Sequence, residues 1–175
     1  MQQEKWVRKI RAGDQAAFRE FYEAYAGAAI RTACAITNNR EMAKDAVQET
    51  FIRVYRQIDS FNQELPFDPW FYRILTNECL RLLKRESPLS TIESVLNDPS
   101  LAEESFDQLT DLYDSIQALD DHNRIPLILK YIKGFSEKEI ADILELNLNT
   151  VKSRLFKGRM RLREQLEPTR KEDKS

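Results

Sequence analysis

The segment 135–166 constrains the fold more than any other part of the chain, because it carries the start signals of two helices separated by a very short turn. Ser136 and Glu139 form a capping box, which predicts a helix that runs through to Leu144. A turn at 145–148 follows, and Asn149 can cap a second helix that continues to about residue 166. The side chains that can close the core between the two helices are Ile140, Ile143, Leu148, Val151 and Leu155. Together these features predict a helix-turn-helix.

The second of these helices carries a basic and aromatic face that suits duplex DNA. Its exposed side chains are predicted to be Lys152, Ser153, Phe156 and Lys157, flanked by Arg154, Arg159, Arg161 and Arg163. In a helix-turn-helix the second helix enters the major groove, where lysine and serine reach base edges or phosphates and a phenylalanine ring can contact a thymine methyl group. The alternative is a solvated cationic helix that happens to follow a helical hairpin. The alignment of capping box, turn length, apolar core and basic helix favours DNA binding.

Helix-forming residues dominate the rest of the chain as well. Only four glycines are present, hydrophobic residues make up 42% of the chain, and alternation typical of strands is hard to find. Two helical blocks, at 1–85 and 106–175, flank a segment at 86–105 rich in serine, proline, asparagine and acidic residues. We therefore expect an all-α protein with two small helical domains joined by a flexible acidic linker, the second of which contains the helix-turn-helix.

The first block divides into helices by its apolar spacing. The second segment starts near Gly13 and Asp14, the third spans 40–58, and a break at 59–68 contains turn residues. Pro69 then suits the first turn of a helix that ends at about residue 85. The apolar residues of the second segment are Phe18, Phe21, Tyr22 and Tyr25, and those of the third are Val47, Phe51, Val54, Tyr55 and Ile58.

The second block begins with a stripe of four apolar residues and a further helix before the helix-turn-helix. The stripe consists of Leu109, Leu112, Ile116 and Leu119. Asp120 and Asp121 open the next helix, and Pro126 is expected to lie early in it, where a missing amide donor costs little. Glu145 stands in the turn of the helix-turn-helix, where a left-handed backbone would cost about 1 kcal/mol.

Charge is unevenly distributed along the chain. The formal net charge is −2, which alone would argue against a nucleic-acid partner. However, residues 86–110 contain six acidic and no basic side chains, whereas residues 146–175 contain nine basic and four acidic ones. Because DNA responds to the local field, the basic C-terminal tract matters more than the sum.

The remaining composition indicates neither a metal site nor a membrane segment. Cys34 and Cys79 lie in apolar helical patterns, which predicts buried free thiols in a reducing cytoplasm, and His122 has no second ligand at metal-like spacing. No apolar run is long enough to span a membrane, and residues 1–10 lack the apolar core of a secretion signal. We expect a cytoplasmic protein without membrane insertion, metal or other cofactor.

Motifs in both blocks resemble those of the extracytoplasmic-function sigma factors, a family of bacterial transcription initiation factors. In the second block these are FSEKEIADIL at 135–144 and NTVKSRL at 149–155, which are similar to the family's C-terminal DNA-reading domain. In the first block they are DAVQETF at 45–51, which resembles the polymerase-binding helix, and DSF at 59–61 with WFYRI at 70–74, which resembles the promoter-melting segment. The resemblance implies a region 2 domain at 1–85, a linker at 86–105 and a region 4 domain at 106–175.

The resemblance also implies a role for individual residues. The side chains that would face the clamp helices of the polymerase are Asp45, Gln48, Glu49 and Phe51. Those that would bind the minus-ten element, by holding a base extruded from the non-template strand, are Phe61, Asn62, Phe67, Trp70, Arg73 and Asn77. Those that would bind the minus-thirty-five element are Lys152, Ser153, Phe156 and Lys157, with Thr150 and Arg154 on phosphates. Core packing remains the alternative for Phe51, as a structural anchor does for Trp70.

Three other classes of protein compete with a sigma factor. An enzyme would need a catalytic set, and no nucleophile triad, phosphate-binding glycine loop or metal cluster can be assembled. A stand-alone repressor would need a dimerisation or effector domain in residues 1–85 and would bind DNA without polymerase. An adaptor that binds only polymerase would not need the basic helix. The resemblance implies RNA polymerase core (clamp helices and flap), promoter DNA and an anti-sigma factor as partners, in a stress or envelope response.

Overall fold

The computed structural model describes residues 2–86 and 106–167 of the chain, with 106–111 described by their backbone alone. Every regular element in these two ranges is helical, and no strand occurs within them. The helices form two compact units, one built mainly from the N-terminal block and one mainly from the C-terminal block. The expected all-α, two-domain fold is therefore confirmed. The predicted linker lies outside the described residues apart from Glu86, so its limits remain a prediction.

Four α-helices make up the first unit: α1 (Gln2–Arg11), α2 (Gln15–Thr37), α3 (Arg40–Gln57) and α4 (Phe67–Arg85), with a 3₁₀-helix at Ile58–Ser60. Side-chain caps set the starts of α2 and α3, because Asp14 and Asn39 each accept a hydrogen bond from the backbone amide three residues on. Between them Asn38 adopts a φ of 50°, a left-handed conformation that asparagine tolerates. The predicted start near Asp14 is confirmed, and Pro69 lies in the first turn of α4 as expected.

An aromatic cluster joins α2, α3 and α4. Phe21 is fully buried at its centre, with its ring centroid 5.4 Å from that of Phe51, 5.5 Å from Phe67 and 5.9 Å from Phe71. All three pairs meet edge to face, the arrangement that aromatic quadrupoles favour. The helical spacing of the phenylalanines in the sequence therefore places them in one core.

Two tyrosines predicted on the apolar stripes are not core residues. Tyr22 and Tyr55 are each 47% exposed, whereas Phe21 and Val54 beside them in sequence are fully buried. An apolar stripe on a helix is wider than the strip that a neighbouring helix covers, so residues at its edge reach the surface. Both tyrosines border a groove described below.

A buried carboxylate links α3 to α4. The side chain of Glu78 on α4 is only 2% exposed and lies 2.7 Å from Arg53 Nε on α3 and 2.8 Å from Arg81 Nε on its own helix. A buried charge is tolerated when it is paired and hydrogen-bonded, as this one is on both oxygens. The arrangement fixes the register between the two helices.

The second unit contains α5 (Phe106–Gln117), α6 (Asp121–Leu127), a π-helix at Ile128–Ile132, α7 (Glu137–Leu144) and α8 (Leu148–Leu166). Asp120 caps α6 and Gly134, with a φ of 78°, follows the π-helix. Pro126 is the sixth residue of α6, not an early one as expected, and its helix continues as a π-helix from residue 128. Since proline removes an interior amide donor, a change of helical pitch just after it is understandable. The side chain of Leu109 lies outside the described residues.

Helices α6 and α8 cross closely at Gly158. A Cβ atom placed on Gly158 would lie 2.8 Å from Leu127 Cδ1 and 3.3 Å from the Asn123 carbonyl oxygen on α6. Arg124, 7% exposed, donates from Nη1 to the Leu119 carbonyl at 2.9 Å and thereby ties α6 to the end of α5. These contacts anchor α8 on the rest of the unit.

Cys79 is expected to resist thiol reagents in the folded protein. It is fully buried, and burial raises the pKa of its thiol to about 12. Because the thiolate is the nucleophile, only about one Cys79 thiol in 10,000 would be ionised at pH 8. Iodoacetamide labelling followed by mass spectrometry should leave Cys79 unmodified in the native protein and modify it in guanidinium chloride. Cys34, which is partly exposed and has a pKa also raised by burial, is the internal comparison; labelling of Cys79 ahead of Cys34 would contradict the prediction.

Candidate nucleic-acid interface

The helix-turn-helix is built by the local signals that the sequence contains. In the capping box, the Ser136 amide donates to Glu139 Oε2 at 2.8 Å and the Glu139 amide donates to Ser136 Oγ at 3.2 Å. Glu145 has a φ of 53°, so the left-handed turn suspected from the sequence is present. The cap of α8 is Asn147, whose Oδ1 accepts from the Asn149 amide at 2.8 Å, and not Asn149 as predicted. Helix α8 starts earlier because an asparagine in the extended conformation already precedes Leu148.

The core between α7 and α8 contains four of the five predicted residues. Ile140, Ile143, Val151 and Leu155 are fully buried. Leu148 is 38% exposed and does not belong to this core, since α8 begins at that residue and directs its side chain outward from the first turn. The packed side of α8 is thereby fixed, which leaves its opposite side open.

The open side of α8 carries the predicted DNA-reading residues. Lys152, Ser153, Phe156 and Lys157 are all exposed, Phe156 by 56%, while Thr150 and Arg154 are partly buried. Met160, 46% exposed, lies one turn after Phe156 on the same side and was not singled out in the sequence. Met160 lies four residues after Phe156, and this spacing could have predicted from the sequence that the two side chains share one face of α8.

The basic side chains of α8 divide into paired and unpaired groups. Arg161 bonds to Asp120, and Arg159 Nη1 donates to the Tyr131 hydroxyl at 3.1 Å. Burial raises the pKa of Asp120, but the hydrogen bonds from Arg161 and Asn123 outweigh it and hold that pKa below its usual value. Within the part of the chain that the structure describes, Lys152 and Lys157 form no salt bridge, so both ammonium groups are available to an anionic ligand.

In the first unit, an exposed loop follows the 3₁₀-helix and ends at α4. Residues 62–66 are exposed, and Asn62 Oδ1 accepts from the Glu64 amide at 3.0 Å, which shapes the loop as a turn. Phe61 and Phe67 flank the loop, are each 6% exposed, and lie with their ring centroids 5.4 Å apart. Both rings therefore belong to the aromatic core in this conformation, with no open face for a base.

One face of α4 continues from this loop. Trp70, Arg73 and Asn77 follow one another at spacings of three and four residues, so they share a side of the helix. Asn77 is exposed and the other two are partly exposed. The Trp70 ring lies 4.8 Å from that of Phe61, so Trp70 anchors the loop and still presents an edge to solvent. The same face continues to Arg81 and Lys84, which makes it basic.

A groove of about 1200 Å³ lies between α2 and α3. Its lining includes two of the four residues predicted to bind polymerase, Gln48 and Phe51, while the other two, Asp45 and Glu49, are not part of it. Phe51 is 4% exposed and packs in the aromatic cluster as well, and Glu49 bonds to Arg53 at 3.3 Å. The remaining lining residues are Gln15, Phe18, Arg19, Tyr22, Ala26, Gly27, Ile30, Lys44, Val47, Ile52, Tyr55 and Arg56.

Comparisons with known proteins identify the family. Residues 21–88 match the family model of Sigma-70 region 2, and residues 109–162 match that of Sigma-70 region 4. The ECF RNA polymerase sigma factor SigW of Bacillus subtilis (strain 168) is 32% identical over 178 residues, covering 93% of this chain and 95% of SigW. The chain belongs to the extracytoplasmic-function (ECF) sigma factor family. As such it is a transcription initiation factor and not an enzyme.

Further relatives of this sigma factor agree with the assignment. The ECF RNA polymerase sigma-E factor of Escherichia coli (strain K12) is 27% identical over 180 residues, covering 93% of each chain. Among solved structures, the sigma factor RpoE of Bartonella quintana in complex with the anti-sigma factor NepR is 28% identical. It covers 87% of this chain and 98% of its own, with a TM-score of 0.73.

Residues 2–86 and 106–167 of this sigma factor contain no helix of the length and apolar character needed to cross a membrane. The same ranges contain no group of three or more His, Cys, Asp or Glu side chains placed to bind a metal ion. The surfaces that remain to be explained are therefore the open side of α8, the loop with the α4 face, and the α2–α3 groove.

Proposed function

We propose that this ECF sigma factor binds RNA polymerase core through its first unit, reads the minus-thirty-five element with α8, and captures a minus-ten base at the loop 61–66. Its family function is to direct transcription initiation at promoters. The observation that carries the proposal is the open side of α8, where two exposed lysines flank an exposed phenylalanine. A helix that is packed firmly on one side and cationic on the other suits the major groove.

The assignment of roles along α8 follows from position. Three residues lie on the side of α8 that faces away from the apolar core of the unit and would therefore meet base edges: Ser153, Phe156 and Lys157. Lys152 and Arg154 lie to either side of that line, where they would meet phosphates. Thr150, in the first turn, would bind a phosphate together with the helix amides. Met160 extends the apolar contact begun by Phe156.

The α2–α3 groove is the proposed docking site for polymerase. Its floor is apolar and aromatic, and its charged rim residues, Arg19, Lys44 and Arg56, are all basic. A helical partner with an apolar face, which we propose to be the polymerase clamp helices, would match the apolar floor of this groove. Gln48 and Phe51 contribute from within the groove, and the exposed carboxylate of Asp45 would act at its margin.

Minus-ten recognition is proposed for the loop and the adjoining face of α4. Asn62 and Asn77 are exposed amides that can read a base edge, and Arg73 can neutralise a phosphate. Phe61 and Phe67 contribute by supporting the loop, since their rings are buried. Trp70 combines an anchoring contact with an exposed edge. Single-stranded DNA also needs a positive surface, which the basic α4 face supplies.

A regulatory partner is part of the proposal. RpoE of Bartonella quintana has been solved with the anti-sigma factor NepR, and we propose that this chain is likewise held by an anti-sigma factor. We further propose that it works in the cytoplasm, beside the polymerase, in a stress or envelope response.

The test is run-off transcription with bacterial core polymerase on a pooled promoter library. Specific transcripts that appear only when the protein is added are the expected result. A substitution at the groove, Ile52→Glu, should weaken binding to core by at least about tenfold, because a buried interface charge without a partner is costly. Gln57→Glu, which adds the same charge on α3 outside the groove, is the matched control. A stand-alone regulator would instead bind duplex DNA tightly in the absence of polymerase core and would give no specific transcript when core is added.

A further inference from the structure

We propose that the N-terminal helix α1 positions the loop 61–66 for base capture, by holding the segment before it through Arg11 and the segment after it through Gln3. The matched Sigma-70 region 2 segment begins at residue 21, so α1 lies outside it. The inference rests on the proposed role of this loop in minus-ten binding.

Arg11 holds the entry to the loop. Its Nε donates to the Ile58 carbonyl at 3.0 Å, and its Nη2 donates to the Phe61 carbonyl. Ile58 is the first residue of the 3₁₀-helix, and Phe61 is the residue that follows this helix and starts the loop. A guanidinium group is planar and presents its donors in a fixed fork, so one side chain sets the spacing and direction of both carbonyls. No other described side chain donates to either one.

Gln3 and Tyr25 hold the exit from the loop. Gln3 Nε2 donates to Asp68 Oδ1 at 2.9 Å and to the Tyr25 hydroxyl at 2.7 Å, and that hydroxyl donates to the same Asp68 oxygen. Asp68 is the second residue of α4, and the N-cap residue of this helix, Pro66, provides no side-chain hydrogen bond. Burial and the bond to Asp68 raise the pKa of Tyr25 well above its usual value, so the hydroxyl stays protonated and remains a donor.

Between these two attachments the loop is open to solvent. Residues 62–66 are exposed, Leu65 by 60%, although the residues on both sides of them are buried. A segment held at both ends loses little further freedom when a ligand binds, so preorganisation favours binding. Helix α1 carries no residue of the proposed DNA surface and is therefore a positioning element, acting through backbone carbonyls and Asp68.

The experiment measures the affinity of the assembled holoenzyme for a fluorescent single-stranded minus-ten oligonucleotide, alongside its affinity for core. Arg11→Ala should weaken oligonucleotide binding by about tenfold and leave core binding unchanged, since the loop would lose one of its two attachments. Arg11→Lys should recover only part of this loss, because an ammonium group cannot reproduce the fork. Arg8→Ala, which removes an exposed arginine from the same helix, is the matched control and should behave as the wild type.

Other results would overturn the inference. The inference fails if the Arg11→Ala holoenzyme binds the oligonucleotide as tightly as the Arg8→Ala holoenzyme does. It also fails if Arg11→Ala weakens binding to polymerase core as much as it weakens binding to the oligonucleotide, because α1 would then have only a structural role. If Arg11→Ala does not fold, Gln3→Ala gives the deciding measurement. We expect it to weaken oligonucleotide binding less than Arg11→Ala would and to leave binding to polymerase core unchanged. A wild-type holoenzyme that fails to bind the oligonucleotide would instead overturn the proposed role of the loop.

Discussion

Replacing Lys152 and Lys157 together by alanine is expected to lower transcription from promoters that need a minus-thirty-five element by about 10- to 100-fold. Both lysines are exposed on the half of α8 that is not packed against the rest of the unit, and they form no salt bridge among the described residues. Their loss removes two positive charges from the interface without disturbing the buried side of the helix. The measurement is run-off transcription with holoenzyme on one defined promoter.

Salt dependence distinguishes phosphate contacts from base contacts at these two positions. Each phosphate contact that is lost should reduce the slope of log affinity against log salt by about 0.9. The matched control is Lys152→Arg with Lys157→Arg, which keeps the charge. Arginine should restore binding where a lysine contacts phosphate and should change the preferred base where it contacts a base edge. Unchanged transcription by the double alanine variant would contradict the assignment of α8 as the reading helix.

Gly158→Leu is expected to destabilise the second unit by about 3 kcal/mol. Its side chain would start 2.8 Å from Leu127 Cδ1 and 3.3 Å from the backbone oxygen of Asn123, and this backbone cannot move aside cheaply. Leucine is a good helix former, so poor helix propensity would not explain a loss of stability. Because the leucine side chain would displace α8 from its packed position on α6, we also expect weaker binding to the minus-thirty-five element.

Denaturant unfolding followed by two signals measures this effect. Both tryptophans of the chain, Trp6 and Trp70, lie in the first unit, so their fluorescence reports that unit, whereas circular dichroism reports both. Gly158→Leu should shift the dichroism transition to lower denaturant and leave the fluorescence transition in place. The control is Gly27→Leu, where the new Cβ meets only the end of the Arg31 side chain, at 3.4 Å. A Gly158→Leu protein as stable as this control would refute the crossing as a tight contact.

The fold was largely predictable because its signals are local. The capping box of α7, the starts of α2 and α3, and the left-handed turn at Glu145 each depend on a few adjacent residues. The errors arose where several local solutions compete. Asn147 and Asn149 can both cap a helix, and in the folded protein the earlier of the two does so.

The candidate site was predictable in part. The open side of α8 followed from periodicity, since knowing which residues pack also tells which ones do not. The buried state of Phe61 and Phe67, and the exposure of Tyr22 and Tyr55, did not follow. The two tyrosines lie on apolar stripes, and a single helix does not reveal how much of its stripe a neighbour will cover. The two phenylalanines flank a break between helices, where helical periodicity predicts no burial.

The sequence by itself thus determined the helical class, the order of the helices, the helix-turn-helix and the family. These depend on interactions between residues near in the chain, which capping and periodicity record. Only the tertiary structure decided that Arg11 and Gln3 of α1 hold the loop near residue 61 from both ends, and that α2 and α3 leave a groove between them. Such contacts join residues some 50 positions apart in the chain, and no local spacing of side chains encodes which distant backbone carbonyl a given arginine will meet.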